Sequence, residues 1–413
     1  MDARHGDLAA KVGGSGRHEG DSGRLGLGVS GLYLALYIHY GFFAFLPLWL
    51  KATGASPEEI GILLAIPLVL RLLTVAPFSA FVGRRGWVRN AIAYTSLASA
   101  AIVLLLLGEP DHAGRIVIVI LFSIVWDQIP VLTDAYAVMA VRSRSLDFGR
   151  LRVWGSIAVV ASNAAAGWAI GIAGIKMLPL MIAVLLIAPA MVAFLLPTDR
   201  KLSAVDDAAG GRWRDLIGDR GLILAMVAAS LIMGSHGVLT SFGAIQWESQ
   251  GISTTTIGLL QALAVAAEIG AFWFGAKLLG NRDPRLLIVA GAIAGALRWA
   301  IMAASPGLPL LVFGQLLNGI TATGTILGIM LVIAQRVPTH LSATAQGMNA
   351  VLLGLVLAVA TAGSGLLWSY GLAVAYLAMS VLALLGALCA WPRGAGFGKH
   401  DSTDMLSTSG AEG

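Results

Sequence analysis

The sequence predicts an all-α membrane protein with 12 transmembrane helices in two six-helix bundles, related by a parallel pseudo-two-fold repeat. Three observations predict it. The 413 residues are 57% hydrophobic and 12% charged, with a mean hydropathy of +0.83, whereas a soluble domain carries roughly 25% charged residues. Apolar runs of the length that crosses a ~30 Å hydrocarbon core recur along the chain. The chain also resembles itself when slid by 197 residues. This composition excludes a soluble enzyme, and it excludes a disordered protein, which needs low hydrophobicity and high net charge.

Residues 1–24 are polar and rich in Gly, Arg and Asp, and are expected to be a disordered cytoplasmic tail. The apolar run after them is too long for a signal peptide core. Twelve apolar segments follow, at 25–50, 60–82, 91–107, 115–141, 151–173, 177–197, 221–245, 256–276, 287–304, 310–334, 347–369 and 372–391. Lipid satisfies no backbone polar group, and the segments are too long for barrel strands, so each is read as a helix. The polar stretch 198–220 reads as a cytoplasmic linker between bundles 25–197 and 221–391, and 392–413 as a second cytoplasmic tail.

Orientation follows from the basic residues. With the N-terminus inside, 22 of the 27 Lys and Arg fall on the inner side and only Lys51, Arg115 and Lys176 on the outer. That asymmetry is the positive-inside signature. The net charge of +5 therefore reports topology and points to membrane lipid, with no nucleic-acid partner.

The repeat is clearest between 32–65 and 229–262. His39 meets His236, Phe45 meets Phe242, Gly54 meets Gly251, Ser56 meets Ser253, and Ile60-Gly61 meets Ile257-Gly258. With Leu34, Leu63 and Ala65 there are nine identities in 34 positions, against roughly three by chance in so biased a composition. Equal span number and orientation make the repeat parallel. The same offset sets Arg71 opposite Glu268 on segments two and eight.

An ionisable group at mid-membrane costs roughly 2.5–3.5 kcal/mol on insertion scales, so such groups face the bundle interior and have partners. Within segments stand Arg71, Asp127, Asp134, Glu268 and Arg298, with Arg152 one turn inside segment five. Asp134 and Arg152 flank one hairpin, whose antiparallel helices face each other. They read as a charge pair that is either a substrate or coupling site or a structural dock. Asp127 lies two turns from Asp134, with Pro130 between them permitting a bend. It reads as a second protonatable group or as a neutral hydrogen-bonded acid. Arg71 either clamps a carboxylate, since a guanidinium forks onto two oxygens, or permanently neutralises Asp127 or Glu268. His39 and His236 are helix-to-helix hydrogen bonders, as lone membrane histidines more often are, or cavity groups, a reading that their shared repeat position strengthens. Tyr33, Tyr37, Tyr40, Trp126, Tyr136 and Trp154 either line an aromatic pocket or pack. The single Cys389 excludes an intrachain disulfide and a Cys-based zinc site. No His/Asp/Glu set has metal-ligand spacing, no phosphate loop is present, and no cofactor is expected.

The run Leu132-Thr-Asp134-Ala, with Phe148-Gly149-Arg150-Leu-Arg152-Val-Trp154-Gly155, resembles the hairpin between helices four and five of the lactose permease-like major facilitators. It is closer still to their phenylpropionate-transporter branch. Leu48-Trp49-Leu50-Lys51, Ser56-Pro57-Glu58-Glu59-Ile60-Gly61, Glu268 and Arg298-Trp299 extend the resemblance over nearly the whole chain. It implies alternating access to a site between the bundles. It also implies that the residues at Asp134, Arg152, Glu268 and Arg298 bind substrate or couple protons. Asn318 and Thr321 stand where that family has a helix-ten His and Glu, and Gly83–Asn90 is a degenerate superfamily loop without its usual Asp.

The expected function is a non-enzymatic secondary transporter. It is expected to import a small organic solute with a proton, an aromatic carboxylate first and a nucleoside or saccharide second, as a monomer in a bacterial inner membrane. Glu268, Asp127 and Asp134 are the expected proton-coupling groups. Arg152, Arg298, Arg71, His39, His236, Trp154, Tyr40 and Asn318 are the expected substrate contacts. A carboxyl whose arginine approaches in one state and withdraws in the other takes up and releases one proton per cycle, and Glu268 with Arg298 is the leading pair. A polytopic membrane enzyme is the alternative outside this class, but the nucleophile or His/Asp/Glu cluster it needs at the membrane face is missing.

Overall fold

The computed structural model describes residues 23–144, 146–198, 214–279 and 282–392. Twelve helices in it are long and apolar enough to cross a membrane. They are α1 (Gly23–Ala52), α2 (Pro57–Arg85), α3 (Val88–Gly108), α4 (His112–Ser143), α5 (Phe148–Ala173) and α6 (Ile175–Leu195). After the linker come α7 (Arg220–Ser249), α8 (Thr254–Phe274), α9 (Arg285–Ala303), α10 (Leu308–Arg336), α11 (Thr339–Ser369) and α12 (Leu372–Ala390). The expected tail 1–24 apart from its last two residues, positions 199–213 of the expected linker, and the C-terminal tail from 393 lie outside the described residues. Most helices outrun their apolar segments by a turn or less at each end. The largest difference is α11, which starts eight residues before the expected 347, because its polar first turns extend past the apolar run.

Side chains close the helix starts. Ser56 accepts from the Glu59 N–H at 3.2 Å, Asp111 from Gly114 at 2.8 Å, and Asp147 from Arg150 at 3.0 Å. Asp219 accepts from both Gly221 and Leu222, at 2.9 and 3.1 Å. Each satisfies N–H groups that a helix leaves orphaned.

Three spans are broken, and the breaks position the polar residues. α4 is interrupted at Asp127, between helical pieces His112–Trp126 and Gln128–Arg144. The interruption falls where Pro130 has no N–H for the Trp126 carbonyl. α1 breaks at Ile38–His39 and α7 at Ser235–His236, so the two bundles interrupt their first helices at repeat-equivalent histidines. At both breaks glycine permits close packing. A Cβ on Gly41 would lie 2.3 Å from the Asn163 nitrogen of α5, and one on Gly237 2.9 Å from the Thr361 nitrogen of α11. Ser162 Oγ accepts from the Gly41 N–H at 3.0 Å, satisfying backbone freed by the break.

The bundles meet through α2 against α11 and α5 against α8. Both seams are glycine contacts, where small residues let backbones touch. A Cβ on Gly61 would lie 3.0 Å from Ala362 O, and one on Gly365 2.5 Å from Pro57 O. On the other seam, Cβ atoms on Gly167 and Gly258 would each lie 2.3 Å from a backbone oxygen, of Thr254 and Asn163. Gly61 and Gly258 are repeat equivalents. So are Lys51 and Glu248, whose side chains pair across the bundles at 3.1 Å. Ser369 hydrogen-bonds Glu58 beside them. All these contacts lie in the membrane half away from the linker. Below them Arg71 and Arg152 are exposed, so the central cavity opens toward the linker side.

Candidate functional site: a polar cavity between the bundles

The N-terminal wall is built from α1, α2, α4 and α5. Tyr33 donates its hydroxyl to Asp134 Oδ1 at 2.7 Å. Arg152 approaches from α5 and acts electrostatically on Asp134, Tyr37 and Tyr33. The rings of Tyr37 and Tyr40 sit 4.7 Å apart. Arg71 approaches this cluster from α2 and acts electrostatically on Tyr37, Tyr40 and Asp127. Asp127 is 5% exposed, and its Oδ2 has no hydrogen-bond partner among the described residues. Its one charged neighbour is thus an arginine that also faces the cavity.

The C-terminal wall centres on a buried cation. Arg298 is 1% exposed. It donates to Asn318 Oδ1 at 2.6 Å and to Gln315 Oε1 at 2.9 Å, and its guanidinium lies 4.7 Å from the centre of the Trp299 ring. Asn318 Nδ2 donates in turn to the Ala264 carbonyl at 3.2 Å, tying α8 to α10. His236 Nε2 lies 3.4 Å from Asn318 Oδ1 and its ring packs edge-on to Trp299 at 5.0 Å. Glu268 is half-buried on α8, with Arg298 as its electrostatic partner.

A cavity with opposed polar walls, closed by a duplicated seam, can hold a small solute and expose it to one side at a time. The MFS_1 like family model matches residues 27–378. The chain belongs to this family of major facilitator transporters. It is 29% identical over 343 residues, covering 82% of this chain and 90% of the relative, to the probable 3-phenylpropionic acid transporter of Escherichia coli (strain K12). It is 25% identical to the maltose permease of Geobacillus stearothermophilus over 66% of this chain and 70% of that one. The crystal structure of the nucleoside transporter NupG superposes with a TM-score of 0.78 at 14% identity, covering 89% of this chain and 98% of that one. The MFS_1-like chain is therefore a multi-pass membrane transporter of a small solute and not an enzyme.

In this MFS_1-like transporter several expected contacts are corrected by position. Trp154 is 45% exposed but stands two residues from Arg152, about 200° around the helix, so it points away from the cavity-facing side of α5. His39 is fully buried and accepts from Trp126 Nε1 at 2.8 Å. It holds the α1 break against α4 and does not line the cavity. Arg298 also stands behind the wall, its fork taken by Asn318 and Gln315, so no substrate carboxylate reaches it in this conformation. The expected pairs Asp134–Arg152 and Glu268–Arg298 do not close to 4 Å among the described residues; the Tyr33 hydroxyl takes one oxygen of Asp134, and two amides take the two terminal nitrogens of Arg298. Tyr33 and Tyr136 are fully buried, with Tyr136 donating to the Pro197 carbonyl at 2.8 Å.

Some of the MFS_1-like transporter's polar structure escaped the sequence reading. Glu59, 9% exposed, joins α2 to α4 through His112 Nδ1 at 3.0 Å and Arg115 Nε at 3.3 Å. Arg115 also donates to the Thr53 carbonyl at 3.1 Å. The 197-residue repeat was a usable signal for Lys51–Glu248. The spacing of Gln315 one turn before Asn318 was a usable signal for the Arg298 cage. Nothing in the sequence marks Glu59 as the partner of Arg115.

Proposed function

We propose that this transporter is a proton symporter that imports an aromatic carboxylate of the phenylpropionate kind by alternating access. We further propose that it works as a monomer in a bacterial inner membrane, with both termini cytoplasmic. One observation carries the reading. Two exposed arginines from different helices, Arg71 and Arg152, both act on the Tyr37 hydroxyl, beside the paired rings of Tyr37 and Tyr40. A carboxylate is held well by guanidinium forks, and an aromatic tail packs on tyrosine rings at centroid distances of about 4.5–7 Å. The relative described as a probable 3-phenylpropionic acid transporter supports the same class. Tyr40, His236 and Asn318 are the remaining contacts. With the termini cytoplasmic, the cavity faces the cytoplasm.

Coupling follows from a shared cation. Asp127 has Arg71 as its charged partner. A substrate carboxylate that recruits Arg71 leaves Asp127 buried without compensation, and a buried unpaired carboxylate takes a proton. Anion and proton then enter together. Glu268 on the opposite wall has Arg298 as its electrostatic partner and is the second proton-coupling group, and Asp134 with Tyr33 and Arg152 completes the network.

Uptake of labelled 3-phenylpropionate into proteoliposomes under an imposed pH gradient tests this. Wild type should accumulate the acid. Arg152→Lys keeps the charge but loses the fork and should lose at least tenfold in uptake. Asp127→Asn should retain exchange while losing uphill accumulation. Uphill transport of maltose or a nucleoside, with no response to aromatic acids, would establish the neutral-solute alternative that the maltose permease relative favours. Wild-type uphill transport by Asp127→Asn would remove Asp127 from the coupling mechanism.

A further inference from the structure

A second cavity lies between α2, α3 and α4 of the N-terminal bundle. It measures about 500 Å³ and is lined by Leu73, Pro77, Phe78 and Phe81 of α2 and by Ile124 and Val125 of α4. Thr74, Thr95 and Gln128 supply its polar lining, with Gln128 Nε2 donating to Thr74 Oγ1 at 3.3 Å. Leu73 and Phe81 are 67% and 41% exposed, so the groove is open sideways in the half of the membrane toward the linker. Pro77 cannot donate to the Leu73 carbonyl, which leaves this stretch of α2 without one helical bond beside the groove.

The rim of this apolar groove is basic. Arg85 lies 4.0 Å over the ring of Phe81, a lining residue, and 5.3 Å from the ring of Trp87. Arg84 precedes it and is exposed. Neither arginine forms an ion pair within 4 Å among the described residues. The loop Gly83–Asn90 contains no acidic residue that would occupy them. Stacking on Phe81 fixes the Arg85 fork at the mouth of the groove instead of leaving it loose in solvent.

We propose that this groove is a binding site for an anionic phospholipid of the leaflet on the linker side, with one acyl chain in the groove and the phosphate on Arg84 and Arg85. Lipid tails gain little by exchanging one apolar surface for another, so the headgroup charge supplies the selectivity and the groove supplies the position. A basic side chain near an anionic headgroup is worth about fivefold in affinity, hence roughly thirtyfold for two. The occupied groove fills the side of α2 that faces α4, and so braces the helix whose other face forms the inter-bundle seam.

Native mass spectrometry of the purified full chain, titrated with phosphatidylglycerol or phosphatidylethanolamine, tests the site. Wild type should retain phosphatidylglycerol in preference to phosphatidylethanolamine. Arg84→Gln with Arg85→Gln should weaken phosphatidylglycerol about thirtyfold, while Arg84→Lys with Arg85→Lys should keep most of it. A charge-matched control, Arg142→Gln with Arg150→Gln at the α4–α5 hairpin, should bind as wild type. Glycerol phosphate, a headgroup without a chain, should not displace the lipid. Equal losses in the control and the Arg84/Arg85 variant would overturn the proposal, as would full displacement by glycerol phosphate.

Discussion

The closed seam between α5 and α8 sets the conformational equilibrium, and a single methyl group tests it. At Gly167 an added Cβ would sit 2.3 Å from Thr254 O and 3.1 Å from Gly258 Cα. Ordinary contact begins at 3.4 Å, so the helices must part by about 1 Å, and both blocking atoms are backbone. Overpacking of this kind costs roughly 1–3 kcal/mol. The gain in helix propensity from Gly to Ala, about 0.5–1 kcal/mol, applies in every conformation and so does not offset it. Gly167→Ala should therefore shift the population away from closure at this end by about 5-fold to about 150-fold. Gly258→Ala meets Asn163 O at the same 2.3 Å and should match it. Gly61→Ala has 3.0 Å to its nearest backbone atom and should shift least. Spin labels at Ala52 and Gln250, both exposed at the ends of α1 and α7, report the separation by pulsed electron resonance. A distance distribution unchanged by Gly167→Ala but broadened by Gly61→Ala would refute the argument.

Three other outcomes are expected. At Asp219, partial burial pushes the carboxyl up, but hydrogen bonds from Arg336 and the Leu222 N–H, the Arg336 charge and the Gly221 N–H outweigh it and hold it below the usual carboxylate range. A depressed carboxylate stabilises above its unfolded value and loses that contribution as pH falls through the folded one. Asp219→Ala should thus cost about 1 kcal/mol at neutral pH, as lost helix caps do. The gap to wild type in detergent melting curves should hold down to about pH 4 and narrow as pH falls further. Arg298→Lys removes the fork that holds Asn318 and Gln315 together. It should destabilise by about 2 kcal/mol, since hydrogen bonds to charged groups are worth roughly 1.5–3 kcal/mol each, and an unchanged melting temperature would contradict the cage. Lys51→Glu should place like charges at the closed end and lower the transport rate, while exchanging Lys51 and Glu248 should restore it; both side chains are half-exposed, so the effect on stability is at most about 1 kcal/mol.

Twelve spans, their helical character, the duplicated halves and the presence of charges inside the spans could all be read from the chain before any coordinates. Each depends on a local or additive quantity: the length of an apolar run, the cost of a charge in lipid, the recurrence of His39 and Phe45 at His236 and Phe242. The interruption at Asp127 was legible for the same reason, because Pro130 acts on its own helix. What the sequence could not show was which polar groups touch. Trp154 and Arg152 are near neighbours in the chain yet point about 200° apart. Arg298 and Glu268 have matching charges, yet two neutral amides from α10 take the guanidinium.

By itself, then, the sequence determined that this chain crosses a membrane twelve times in two related halves, with a few charges that lipid will not tolerate. Only the tertiary structure decided that Tyr33 takes Asp134, that Arg298 lies behind the wall, and that glycine seams close one end. The physical reason is that insertion energy sums along a chain, whereas a hydrogen bond needs a direction and a distance. Those depend on how far each helix is turned about its axis and on which helices meet.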